Sequence, residues 1–280
     1  MREVAIIGAG TLGGELAQVL ARREIAAIVR LIDDNGAIAA GKALDLMQSA
    51  PIEGFAARIS GSTDLTSAAG ADVIVVADRA NGTEWHGEDG LLLLNRLRQL
   101  GTEAVVLCAG AGVRDLVERG VREANYARKR LLGSAPEALR SAVRSIVSAE
   151  TGGSAGDVAL TVLGVPPGQI VVPWEDATIG GFAATSVLDE PARRRLAAKV
   201  APLWPPGPYA LASAAGKTIA AIFEQTRDTI AAFVAPDDSS GRRARAAALP
   251  VRLGRSGITA VDVPRLNARD RVALENAIAL

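Results

Sequence analysis

The sequence has 280 residues, with one cysteine and one histidine, His86. A single thiol excludes an intramolecular disulfide and any cysteine-rich zinc site, and suits a reducing compartment. A single imidazole excludes a histidine-rich site, so no metal is expected. It also confines any imidazole chemistry to His86. Net charge is absent too: 31 basic residues against 31 acidic ones give a formal charge of zero. That balance removes the electrostatic footprint of a nucleic-acid binder. Long unbroken apolar runs are missing. The uncharged stretches Val158–Trp174 and Val200–Gly216 are interrupted by proline and glycine, so neither reads as a membrane helix. The N-terminal apolar run stops at glycines, with no signal-peptide cleavage pattern. The expectation is a cytoplasmic protein without nucleic-acid or membrane partners.

What is there reads as globular. Hydrophobic residues make up 49% and charged residues 22%. The length allows one large or two medium domains with a real core. Val4–Ile7 is a short apolar run that stops at Gly8, a buried-strand signal. Thr11–Arg23 follows with Leu12, Leu16, Val19 and Leu20 at helical spacing. Ala27–Ile32, Asp72–Ala77 and Ala104–Cys108 are three more strand runs, with a helical Leu91–Leu100 between the last two. This alternation predicts an α/β fold, a parallel sheet covered by helices on both faces.

The second half is less regular. Ala135–Ala149 is expected as a helix with Pro136 near its first turn. Val158–Leu163 reads as a strand, broken by Pro166-Pro167-Gly168 and resumed as a hairpin partner over Gln169–Val172. Ala201–Pro208 must be a loop, and Tyr209–Ala235 reads as one long alanine-rich helix. Arg252–Leu253 and Thr259–Val263 are expected strands, and Asn267 an N-cap for a final helix reaching Leu280. Asp237–Arg245 is the most polar loop candidate.

One motif carries chemistry. Gly8-Ala9-Gly10-Thr11-Leu12-Gly13 is G-x-G-x-x-G between a predicted strand and a predicted helix. Asp33 lies about 20 residues past Gly13, at the end of the second strand. Gly8 permits the tight turn, Gly10 lets backbone approach a pyrophosphate, and Gly13 allows close helix packing. The helix N-terminus, with Thr11 and Leu12 in its first turn, faces the negative charge. Asp33 would accept hydrogen bonds from the adenosine ribose and repel a 2′-phosphate, which favours NAD over NADP. The bland alternative is a glycine turn that binds nothing.

These residues, with GKALD…SAPIEGF at 41–55, GEDGLLLLN at 87–95, DVALTVLG at 157–164 and the ending GITAVDVPRLNARDRVALENAIAL, resemble bacterial malate dehydrogenases of the lactate dehydrogenase-like type. The resemblance is strong to about residue 95 and patchy afterwards. It implies a doubly wound Rossmann domain over residues 1–133 that binds NAD. An α+β domain of the lactate/malate dehydrogenase C-terminal kind would follow over 134–280. It also implies a homodimer or homotetramer.

The family's chemistry needs a histidine base, an aspartate that orients it, an arginine that clamps the substrate carboxylate, and another on a mobile loop. Matched residue by residue, the histidine falls on Pro166 or Pro167 and the aspartate on Leu139. The clamp arginine falls on Ala142 and the loop arginine on Glu88. Sliding the alignment makes Glu137 and Arg140 imitate the aspartate–arginine pair, but only with a compensating gap. A Thr-Asn-Pro turn becomes Gly110-Ala111-Gly112, and a Thr-Ala-Gly after the fourth strand becomes Ala77-Asp78-Arg79, where Arg79 is positioned to crowd the dinucleotide or pair with its phosphate.

The resemblance therefore implies a malate dehydrogenase-like protein that keeps the dinucleotide fingerprint and has lost its catalytic set. Its role would be NAD(H) binding or assembly. Two alternatives stay open. One is an oxidoreductase with a rebuilt site acting on another small hydroxy or oxo acid, with His86 on the active-site lid, or a carboxylate, as its base. The other is a structural subunit with no nucleotide. Arg144 is a possible anion binder or an exposed helix residue. Trp174-Glu175-Asp176 line a pocket or merely pack. Cys108 ends a buried strand and reads as a structural thiol.

Overall fold

The structure, a computed structural model, describes residues 1–237 and 244–279. Six parallel strands form its first sheet segment: β1 (Glu3–Ile7), β2 (Ile28–Ile32), β3 (Arg58–Ser62), β4 (Val73–Val76), β5 (Val105–Cys108) and β6 (Leu131–Gly133). Their spatial order is β3-β2-β1-β4-β5-β6, a doubly wound sheet whose order reverses between β1 and β4. The crossovers are α1 (Thr11–Arg22), α2 (Gly36–Glu53), α3 (Gly87–Gln99) and α4 (Arg114–Arg122). Every residue of β4 and β5 is buried, which is why both read as unbroken aliphatic runs rather than alternating ones. Leu12, Leu16 and Leu20 form the inward stripe of α1.

The chain continues through α5 (Ala135–Thr151), β7 (Val158–Ala159), β8 (Leu163–Val165), β9 (Gln169–Val171), β10 (Thr178–Ile179), β11 (Phe182–Ala183), α6 (Ala184–Val187), α7 (Glu190–Val200), α8 (Pro208–Glu224), β12 (Ile230–Val234), β13 (Ala247–Gly254), β14 (Gly257–Val261) and α9 (Ala268–Ile278). Strands β12, β13, β8 and β9 extend the main sheet beyond β6 in antiparallel fashion. β7, β10 and β11 make a small separate sheet. A second apolar cluster sits under α5 and α7, with Leu139, Val143, Val147, Val162, Leu196 and Val200 at its centre.

Three expectations change. The alanine-rich segment Tyr209–Ala235 is not one helix. It ends at Glu224, where Gln225 adopts a left-handed cap (φ +53°), and Ile230–Val234 is the central strand β12. Alanine-rich apolar runs suit either element, and here pairing with β6 and β13 decides. Val158–Leu163 is likewise split: β7 joins the small sheet and β8 the large one. The C-terminal strands also differ: β13 is longer than expected, 247–254, and β14 lies two residues earlier, at 257–261. The β8–β9 hairpin does turn at Pro166-Pro167-Gly168, and Asn267 does cap α9, its Oδ1 accepting from the Asp270 N–H at 2.8 Å. Most of the polar loop Asp237–Arg245, namely 238–243, lies outside the described residues, as does Leu280. Among the described residues no helix is long and apolar enough to cross a membrane.

Candidate functional site

β1, β4 and β5 lie side by side and end together at Ile7, Val76 and Cys108. The turns that follow them converge at the carboxyl edge of the sheet, where doubly wound folds take their ligands. The first turn is built by glycine. Gly8 has φ +116°, and a Cβ there would stand 2.3 Å from the Asp78 carbonyl oxygen. A Cβ on Gly13 would stand 2.1 Å from the Gly8 oxygen, so α1 can seat on its strand only without one. Thr11 is exposed and Leu12 buried in the first turn.

The amides of that turn already have a partner. The Leu12 and Gly13 N–H groups donate to the Asp78 carboxylate at 3.2 and 2.9 Å. A Cβ on Gly10 would lie 2.3 Å from the same carboxylate. Asp78 therefore fills the space that glycine at position 10 leaves open. Lys42 Nζ donates to the Gly10 carbonyl at 2.5 Å. Asp33 is 9% exposed. Its Oδ2 accepts from the N–H groups of Ala9 (2.9 Å) and Ala80 (2.8 Å), and its Oδ1 from that of Asn35 (2.9 Å). It thus pins the glycine turn to the loop after β4.

That loop lies across the edge. Arg79 stacks on Trp85, with 3.8 Å to the ring centroid, and pairs with Asp89 at 3.2 Å. Its side chain is thereby committed within the loop, and the neighbour that crowds the groove is Asp78. The residue type that mattered was acidic and one position earlier than the arginine the sequence singles out. Glu84 caps the turn after β5: its two oxygens accept from the Ala111 and Gly112 N–H groups at 2.9 and 2.8 Å. His86 is the N-cap of α3, exposed, with its imidazole beside Gly112 and no side-chain capping bond. Glu88 pairs with Arg119 at 2.7 Å.

Cys108 is fully buried and its thiol is pushed up to about 12, by burial first and then by the Glu84 charge. In mildly alkaline buffer its thiolate fraction is roughly a thousandfold below that of an exposed cysteine. An aromatic disulfide reagent should therefore leave the folded protein unlabelled over minutes and titrate one thiol after denaturation. Rapid labelling of the native protein would contradict this placement.

Pro166 is buried and Pro167 exposed in the β8–β9 turn. Leu139 is completely buried in the second apolar cluster, and Ala142 is half-buried. Arg144 donates to the carbonyls of Ala155 and Gly156 at 3.0 and 3.3 Å. Glu137 and Arg140 form a real pair at 2.8 Å, 3% and 9% exposed, which Lys217 joins at 2.8 Å. Trp174 and Glu175 line a cavity of about 470 Å³ between β9, α7 and α9, while Asp176 does not. Glu175 and burial together raise the Asp270 carboxyl above its ordinary value, burial being the larger cause.

Residues 2–100 match the family model described as lactate/malate dehydrogenase, NAD binding domain. A malate dehydrogenase of Thioalkalivibrio sulfidiphilus is 27% identical, aligned over 100% of this chain and 97% of that protein. The chain belongs to the lactate/malate dehydrogenase family. Another member, a malate dehydrogenase of Sorangium cellulosum, is 32% identical over 68% of this chain and 64% of its own. The fold agrees: the malate dehydrogenase of Salinibacter ruber superposes with a TM-score of 0.86 at 22% identity, covering 98% of this chain and 93% of the other.

Membership in the lactate/malate dehydrogenase family makes residues 2–100 an NAD-binding domain and NAD its cofactor. The strand, glycine turn and helix fit a dinucleotide. The Asp78 carboxylate standing on the Leu12 and Gly13 amides does not, because a pyrophosphate needs the same donors.

Proposed function

We propose that this chain is a lactate/malate dehydrogenase-like protein that binds NAD(H) and does not reduce or oxidise malate or lactate. One observation carries the reading. The protein's single histidine, His86, stands at the N-terminus of α3, whereas the β8–β9 turn, where the family resemblance requires a histidine, is Pro166-Pro167. Proline has no group that exchanges a proton. Leu139 and Ala142, at the aspartate and arginine positions, support the same reading. The dinucleotide would lie over Gly8, Gly10, Thr11, Leu12 and Gly13, with Asp33 ordering the turn, in a domain spanning residues 1–133. Residues 134–280 would form the second, α+β domain. A homodimer or homotetramer working in the cytoplasm, in an assembly role, is the setting the family resemblance favours.

Fluorescence titration with NADH, paired with turnover assays on oxaloacetate and pyruvate, tests this. Binding without turnover supports it. Turnover at the rate of an ordinary family member overturns it. No binding at millimolar cofactor favours a structural subunit instead.

A further inference from the structure

We propose that Asp78 is a built-in competitor of the dinucleotide: its carboxylate occupies the pyrophosphate position and must leave before cofactor can bind. The inference rests on the reading of residues 2–100 as an NAD(H) site. Its ground is the geometry of one turn. Helix α1 starts after Gly10, a residue with no side chain to cap the helix, so its first amides need an outside acceptor. In this chain the acceptor is Asp78, buried at 8% exposure, bonded through Oδ2 to Leu12 and through Oδ1 to Gly13. An anion at a helix N-terminus gains from both hydrogen bonds and dipole. A second anion cannot share those donors, and two negative charges in one small site repel.

The competitor is held in place by its surroundings. The Asp78 carbonyl accepts from the Gly10 N–H at 2.9 Å. Asp33 ties Ala80 to Ala9, and Glu84 anchors the far end of the loop on Ala111 and Gly112. The loop from Asp78 to His86 is thus fastened to the turns after both β1 and β5. Apparent affinity falls in proportion to the fraction of molecules in which the site is open. Lys42, at the Gly10 carbonyl, stays as a cation for the phosphate once Asp78 is gone.

Asp78→Ala, which restores the residue type the family resemblance places there, is the direct test. Asp78→Asn keeps the volume and drops the charge, and carries the test if the alanine variant does not fold. NADH affinity is measured by fluorescence titration for both and for the unaltered protein. Affinity should rise by at least about tenfold in Asp78→Ala, since each charge-assisted bond released from Asp78 is available to the phosphate, and by less in Asp78→Asn, whose amide oxygen can still accept from one helix amide. The thermal midpoint without cofactor should fall by a few degrees in Asp78→Ala, because the acceptor for the helix amides is lost, and by less in Asp78→Asn. Opposite signs for binding and stability are what a merely structural Asp78 would not produce. Equal affinity in all forms overturns the competitor and leaves the NAD(H) reading standing, and weaker binding in the variants does the same. Absence of binding in all forms at millimolar NADH overturns both.

Discussion

Oxaloacetate or pyruvate mixed with NADH and this protein should be reduced about two to four orders of magnitude more slowly than with a histidine-bearing relative, from loss of the base alone. The deficit has several sources. Proton transfer needs a group within hydrogen-bond reach of the substrate oxygen, and the β8–β9 turn offers only Pro166 and Pro167. A substrate carboxylate needs a paired cation, and the gapless match offers Ala142. The two arginines beside it on α5 are already engaged: Arg140 points one guanidinium nitrogen at Glu137 and another at the Thr229 carbonyl at 3.0 Å, and Arg144 donates to the carbonyls of Ala155 and Gly156. At the position that matches the family's loop arginine, Glu88 in the first turn of α3 puts an anion where a cation is needed, which repels an acidic substrate. Pro167→His alone should not recover turnover, because the position that would orient the new imidazole is Leu139, completely buried among aliphatic side chains. The readout is the rate of NADH oxidation with each acid. Brisk turnover that His86→Ala abolishes would establish a rebuilt site in place of an absent one.

Much of the fold was legible because it depends on periodicity. β1, β4 and β5 are buried on both faces, so each shows as a block of aliphatic residues, and Gly8 to Gly13 punctuate the first block with a motif whose every glycine has a steric reason. The strand Ile230–Val234 was not legible. Its residues, IAAFV, continue the composition of the helix before it, and only pairing with β6 and β13 makes them a strand. The loop after β4 shows a different limit. Sequence draws attention to Arg79 because it is long and charged, yet a stacked Trp85 six residues on turns it away. The shorter Asp78 reaches the helix amides because its backbone already touches Gly10. Proximity of that kind belongs to the converging strand ends and leaves no mark on local pattern. The Glu137–Arg140 pair is similar: its spacing is visible, but its burial and its third member Lys217, on α8, are tertiary facts.

That pair sets the largest expected loss of stability. Glu137→Ala should destabilise the protein by about 3–5 kcal/mol, the usual consequence of removing one partner from a buried ion pair. Glu137 Oε1 accepts from Arg140 and from Lys217, and Oε2 accepts from the Ala231 N–H at 3.0 Å. The carboxylate thereby joins α5, α8 and strand β12 at one point. The Lys217 side chain is 42% exposed and can turn to water, so it contributes little to the loss. Arg140 cannot: its side chain is 11% exposed and its Nε is buried without a partner. The cost therefore follows from a guanidinium left without its anion, together with an unpaired strand amide. Glu137→Gln should cost less, since one amide oxygen can still accept from Arg140 or from Ala231. The double change Glu137→Leu with Arg140→Met should recover much of the loss, because an apolar pair of similar volume removes the stranded charge altogether. Urea denaturation of the four proteins, followed by far-ultraviolet dichroism, reads these differences. If Glu137→Ala unfolds at the midpoint of the unaltered protein, the buried pair does not hold α5 against β12.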